Sequence, residues 1–160
     1  THNRVPPVLL GKLNSGVLWW NYQGHANEYV LTHEDLYLNS TGSSDDALRL
    51  VNTGRPFIFS AFSCHANSFA RVHEERSDVQ PSLGEDLVML KDKGAIASYA
   101  SVGYEIIPEL GGEQHITLDW ADAMFLNPPH DDLLGNGDLG ARVLLGESIQ
   151  QALMTSAPTG

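Results

Sequence analysis

The sequence predicts an α/β domain built on a parallel sheet. Three apolar runs carry the prediction: Val17–Tyr22, Pro56–Phe62 and Gly94–Ala100. Glycine or Gly-Arg-Pro turn signals border them, and none alternates cleanly between apolar and polar residues. Such runs read as strands covered on both faces. Helical patterns separate them, and strand, helix, strand, helix, strand is the order of a parallel sheet with right-handed crossovers.

Each element has its own justification. Val17-Leu18-Trp19-Trp20-Asn21-Tyr22 lies between Gly16 and Gly24 and is rich in aromatic residues. Trp19 and Trp20 are neighbours on this strand, so their rings face opposite sides and pack against covering helices. A helix is expected from Ser44 to Asn52, where serine and aspartate open the segment and Ala47, Leu48 and Val51 give it an apolar side. The second strand follows Gly54-Arg55-Pro56. Ser82-Leu83-Gly84-Glu85 has the spacing of a capping box ahead of Leu87, Val88 and Leu90. Lys91 and Lys93 suit that helix's last turn, and Gly94 its stop. Two later helices are expected, at His115–Leu126 and at Asp138–Met154, the last with Leu139, Val143, Ile149 and Leu153 near helical spacing. Asn39–Asp46 reads as a polar loop, Asn127–His130 as a rigid turn and Thr155–Gly160 as a frayed tail.

At 160 residues the chain suits one core, expected over residues 1–154 with no internal repeat. The hydrophobic fraction of 42% excludes a disordered chain. No apolar run approaches the ~18 residues of a membrane span, so no membrane insertion is expected. The start, Thr1-His2-Asn3-Arg4, lacks the apolar region of a signal peptide and fits a trimmed precursor or larger domain. The formal net charge of −11 argues against nucleic acid and against anionic membrane surfaces. Solubility explains that charge, and a basic peptide partner is compatible with it.

Ligands of parallel sheets bind beyond the carboxyl ends of the strands. Two residues able to carry chemistry sit there: His25 after the first strand and Cys64, the single cysteine, after the second. One cysteine excludes an internal disulfide and a multi-cysteine zinc site. A lone cysteine is by default a small buried hydrophobe. Thiol catalysis needs a thiolate, a base that makes it and donors for an oxyanion. Adjacent parallel strands bring a strand-end histidine and a strand-end cysteine together for that task.

Asn21-Tyr22-Gln23-Gly24-His25 resembles the histidine motif of the gingipain family of cysteine peptidases, whose broader fold is shared by caspases and legumains. Phe57–Cys64 resembles that family's strand leading to its nucleophile. Gly84–Leu87 through Gly94–Ser98, and then Leu145–Ala152, resemble its following helix, strand and late helix. The likeness runs over roughly residues 14 to 154 in the family's order.

The resemblance implies a three-layer caspase-like fold, with the chain a partial domain lacking upstream strands. It implies Cys64 as nucleophile, His25 as general base and acid, and the backbone N–H groups of Ala26 and Cys64 as oxyanion hole. Ser98, Ser101 and Tyr104 fall where the family lines its substrate pocket. The implied activity is a cysteine-type endopeptidase working through a thioester, with a preference for basic residues before the scissile bond. Its partners are protein or peptide substrates and further segments of its own precursor, its location is secreted or cell-surface in bacteria, and no cofactor is implied.

Ala26 and Asn67 stand where the family has glycine, so a catalytically degenerate scaffold binding a protein partner is the alternative. Asn67 is expected to supply the positive φ of that missing glycine. The resemblance implies that the carboxylate orienting His25 comes from upstream of this region; Glu28, Glu34 and Asp35 are substitutes that are near in sequence only.

The remaining candidates are weaker. His65 and His73 with Glu74 and Glu75 match no strong zinc spacing. Asp131-Asp132 and Asn136-Gly137-Asp138 form an oxygen-rich turn where a structural calcium is conceivable, without EF-hand spacing. No Gly-x-Ser-x-Gly elbow occurs, so Ser63 reads as structural. His33 reads as a surface residue at a helix start.

Overall fold

The computed structural model describes residues 5–39, 45–69, 80–104, 118–126 and 149. The chain divides into two compact units, Thr1–Glu105 and Ile106–Gly160.

The first unit opens with a helix that the sequence pattern had not suggested, α1 (Val5–Ser15). Pro6 and Pro7 fall in its first turn, where no intrahelical N–H is required. Its end is fastened from a distance: the Arg55 guanidinium donates to Ser15 O at 2.8 Å and Asn14 O at 3.0 Å. A cation on the last carbonyls complements the helix dipole as well as satisfying them.

The sheet is parallel, as expected. Its order is β1 (Trp19–Gln23), β4 (Phe57–Phe62), β5 (Ala95–Ala100), with β4 in the middle. The central strand is almost wholly buried, whereas Asn21 and Gln23 of β1 are exposed and alternate with buried Trp20 and Tyr22. Cover on both faces therefore holds for β4 and not for β1. Trp19 and Trp20 do face opposite sides. Trp20 stands in an aromatic cluster with Tyr37, Phe57 and Phe59, ring centroids 5.2, 5.9 and 4.8 Å away. Trp19 Nε1–H donates to Ser60 Oγ at 2.8 Å, and Ser60 Oγ donates to Asn21 Oδ1 at 2.6 Å. The buried Ser60 hydroxyl is thereby satisfied.

The crossover from β1 to β4 differs from expectation. It contains an antiparallel hairpin, β2 (Val30–Leu31) with β3 (Tyr37–Leu38), and then only a single 3₁₀ turn at Ala47–Arg49. The helix expected over Ser44–Asn52 does not propagate, because its hydrogen-bonding groups are taken by others. Val51 N–H donates to Asn14 Oδ1, and Lys93 Nζ donates to the carbonyls of Ala47 and Leu48. Asp46 turns away from a capping role: its carboxylate accepts from Leu38 N–H and pairs with Arg49. Ser44 lies outside the described residues. His33 is exposed in the hairpin turn rather than at a helix start.

The second crossover behaves as its sequence says. Ser82 is the N-cap of α2 (Leu83–Met89), and Glu85 Oε2 accepts from Ser82 N–H at 3.2 Å. The helix stops at Leu90, before Lys91 and Lys93. Gly94, at φ +83°, completes the turn into β5, where a Cβ would sit 2.3 Å from Leu87 O. Asn52, fully buried, joins the two strand entries: its Nδ2 donates to Arg55 O and Gly94 O, and its Oδ1 accepts from Gly94 N–H.

In the second unit, residues 118–121 are helical and Asp122–Leu126 form a π turn, with Trp120, Ala123 and Met124 buried. This matches the described part of the helix expected at His115–Leu126. Residues 115–117, most of the helix at Asp138–Met154, His73 with Glu74 and Glu75, the oxygen-rich turn at 131–138, Asn127–His130 and the tail lie outside the described residues.

Candidate active site

The two strand-end residues follow directly from the β1–β4 register. Gln23 pairs with Phe62, the last partners of the ladder, and Gly24 N–H still donates to Phe62 O at 3.4 Å. His25 and Cys64 each come two residues beyond that final pair. They emerge at the carboxyl ends of adjacent parallel strands.

The histidine loop is held by groups close to it in sequence. Gly24 adopts φ +148°, and a Cβ there would lie 2.7 Å from the Tyr22 hydroxyl. That hydroxyl donates to His25 O at 2.7 Å, and Thr32 N–H donates to the same carbonyl at 2.9 Å. Burial, and then the negative charge of Glu34, push the Tyr22 phenol up, so it remains a donor across the working range. Asn27 Oδ1 accepts from Tyr29 N–H and Val30 N–H and closes the turn toward β2.

Ala26 forms an antiparallel bridge with Leu31. The flanking bonds run from Asn27 N–H to Val30 O and from Thr32 N–H to His25 O. Ala26 is therefore at a non-hydrogen-bonded position of that ladder, and its own N–H points away from Leu31. The His25 ring is exposed, 6.2 Å from that of His33. The ion pairs among the described residues do not include His25; Glu28 faces His65 instead, and Glu34 lies toward Tyr22.

The cysteine-bearing turn, residues 63–69, is held from afar. Cys64 is half-buried and Ser63 fully buried. His65 N–H donates to Gly103 O at 2.8 Å, Asn67 N–H to Ser101 O at 2.9 Å, and Gly84 N–H to Ala66 O at 2.9 Å. Asn67 is buried; with its amide oriented to suit its neighbours, Nδ2 donates to Ser98 Oγ and Ala66 O, and Oδ1 accepts from Ala100 N–H. The positive φ expected at Asn67 falls instead on His65, at 58°. Asn67 is a clamp between the turn and β5, which explains why an amide side chain sits there.

The start of α2 touches both loops. Leu83 N–H donates to Glu28 O in the histidine loop, and Gly84 N–H bonds the cysteine-bearing turn. A Cβ on Gly84 would lie 1.8 Å from the Asn67 side-chain amide and 2.2 Å from Ser98 Oγ, so only glycine lets the helix approach this closely.

Of the other residues expected at the site, Ser98 has its hydroxyl against Asn67, and Ser101 Oγ donates to Gly103 O. Tyr104 is 87% exposed and meets the His65 ring edge-on at 4.5 Å. Sequence reasoning missed Tyr22, Thr32 and Gly84 as supports. The Tyr-x-Gly-His spacing was the available signal for Tyr22.

These features define an α/β parallel-sheet protein with an imidazole and a thiol at neighbouring strand ends. The model for peptidase family C25 matches residues 2–156, and the chain belongs to that family of cysteine peptidases, the gingipain family. No curated protein matches it significantly. Among solved structures, the arginine-specific cysteine proteinase gingipain R is 14% identical over 95% of this chain, with a TM-score of 0.67. The complex of the pro- and mature domains of Porphyromonas gingivalis RgpB is 15% identical over 97% of it, with a TM-score of 0.69. At that identity the likeness concerns the fold, which is the caspase-like α/β class. The chain spans 30% and 32% of those two chains.

Proposed function

We propose that this chain carries the nucleophile and the general base of a cysteine-type endopeptidase. The observation that supports it most is the β1–β4 register, which sends His25 and Cys64 out at the same end of adjacent strands in a member of a cysteine peptidase family. Cys64 Sγ attacks the scissile carbonyl as a thiolate, having given its proton to His25. The tetrahedral oxyanion is held by the N–H groups of Cys64 and Ala26, the latter not used by its bridge to Leu31. Collapse breaks the C–N bond as His25 protonates the leaving amine. Water, deprotonated by His25, then hydrolyses the thioester.

Tyr104 and Ser101 line the approach for the residue before the scissile bond. A basic residue suits that position. The acidic chain supports it, as does the arginine specificity named for gingipain R. Substrates are proteins or peptides, and segments of the protein's own precursor are natural partners, as in the pro- and mature-domain complex of RgpB. Family membership supports a secreted or cell-surface location. No helix among the described residues is long and apolar enough to cross a membrane.

The test is cleavage of peptides carrying arginine, lysine or alanine before a reporter bond, together with iodoacetamide alkylation. We expect cleavage after the basic residues, with Cys64→Ala and His25→Ala each lowering it about a thousandfold or more. Cleavage that survives Cys64→Ala would overturn the assignment. No cleavage, with a Cys64 no more reactive than free cysteine, would leave the degenerate partner-binding scaffold.

A further inference from the structure

A second histidine lies beside the candidate nucleophile, and nothing in the proposed chemistry uses it. His65 follows Cys64 directly, and Glu28 stands three residues after His25. Their side chains meet between the two loops: His65 Nδ1 is 3.9 Å from Glu28 Oε1, with side chains only 24% and 19% exposed. Tyr104 packs edge-on against the ring at 4.5 Å.

Ser68 stands at the same ring nitrogen as Glu28. Ser68 Oγ lies 3.3 Å from Nδ1, and also reaches the carbonyls of His65 at 3.0 Å and Val102 at 3.1 Å. One hydroxyl proton serves those carbonyls, so toward Nδ1 the Ser68 oxygen offers a lone pair. The Nδ1–H tautomer suits this arrangement, with the N–H toward Ser68 Oγ and the Glu28 carboxylate 3.9 Å from the same nitrogen.

The backbone adds a second argument. His65 holds φ 58°, a left-handed conformation that costs a non-glycine residue about 1 kcal/mol or more. Glycine would make the same turn without that cost. The chain carries an imidazole there despite it, and besides Ser68 and Tyr104 that ring meets Glu28 of the loop that carries His25.

We propose that His65 and Glu28 are a positioning pair that sets the spacing between the cysteine-bearing turn and the histidine-bearing loop. Each partner flanks one of the reacting residues, and the first amides of α2 hold the backbones of the same two loops through Glu28 O and Ala66 O. The backbone bonds fix the loops to the helix, and the side-chain pair fixes them to each other. This deepens the peptidase reading and rests on it for its catalytic meaning.

The test is a double-mutant cycle on the intact chain, using Glu28→Gln, His65→Asn and both together. Asparagine tolerates left-handed φ, so the turn is kept. The readouts are the iodoacetamide rate at Cys64 and, on a basic-residue peptide, kcat and KM separately. We expect each single variant to slow alkylation about fivefold and the double to slow it no further. kcat should fall by a similar factor with KM unchanged. His65→Gly, which relieves the φ strain, should slow alkylation equally without lowering Tm, a result that a purely structural role would not give. Unchanged alkylation in all variants, multiplicative effects in the double, or a loss of Tm alone would overturn the pair. If the wild-type chain cleaves nothing and Cys64 reacts as free cysteine does, the peptidase reading fails. The cycle on alkylation still decides the pair in that case, since its non-additivity upholds the contact and additivity refutes it.

Discussion

The two loops of the candidate site are built in opposite ways. The histidine loop is held mainly by near neighbours: Tyr22, Asn27 and Thr32 supply most of its bonds, and Leu83 N–H to Glu28 O and Gly24 N–H to Phe62 O are its long-range backbone ties. The cysteine-bearing turn is held by chain distant in sequence: Ser98, Ala100, Ser101, Gly103 and Gly84. A locally bonded loop forms with its hairpin. A loop bonded at long range reaches its geometry only once β5 and α2 are docked, so anything that disturbs that docking acts on the thiol before the imidazole.

The largest effect that would test this contrast is Gly84→Ala. The new methyl enters space held by Asn67 and Ser98, and we expect a loss of about 3 kcal/mol in a urea melt. Cys64 alkylation should change while hydrogen exchange at Thr32 N–H stays near wild type. Equal loss of protection in both loops would break the comparison. Next comes Asn67→Ala, which takes the side-chain partner from Ala100 N–H and the Ser98 hydroxyl and leaves Ala66 O with Gly84 N–H alone. It should cost about 2 kcal/mol by the same melt and speed exchange at the amide of Ala100. A stability change too small to measure would mean that water replaces the amide.

Tyr22→Phe removes one of the two donors to His25 O while keeping the ring. About 1 kcal/mol of stability should go. Cleavage should fall through kcat, while Cys64 alkylation stays within about twofold of wild type, a difference near the resolution of such a cycle. A large alkylation change would show that the loops are not separable.

The smallest effect is a pH dependence on the α2 side. Asp86 is pushed up to about 6, first by burial and then by the charge of Asp45, with Lys93 acting the other way. Its carboxylate titrates near 3.8 when unfolded. The native state therefore holds its proton more tightly. The favourable contribution is complete below pH 4 and is lost as pH rises through about 6. After screening by solvent this amounts to about 1 kcal/mol or less. Asp86→Asn should flatten that part of the stability–pH curve between pH 4 and 7. An unchanged slope would assign it to another group.

Much of this was legible in the sequence, for identifiable reasons. β4 announces itself because a central parallel strand needs a continuous apolar run, and β1 and β5 because their apolar residues begin just after a glycine turn. α2 announces itself because a capping box is a local device. Peptidase family C25 was legible because the Gly-His and Ser-Cys stretches stand in a fixed order. The failed helix at Ser44–Asn52 has the opposite cause. Its propensity and caps are sound, but Asn14 and Lys93 take up the groups that a helix would need, and neither residue is near in sequence. The same holds for Asn67: its identity suggested positive φ, whereas burial against β5 made it a clamp and left the φ to His65.

By itself, the sequence determined the strands, the capped helix and the placement of His25 and Cys64 at strand ends, because these rest on local periodicity and local bonds. Tertiary structure alone decided the pairing of β1 with β4, the approach of Gly84 to the cysteine-bearing turn and the meeting of Glu28 with His65. Those depend on which distant groups fill the same few ångströms, and hydrogen bonds and packing choose among distant partners only when the chain has closed.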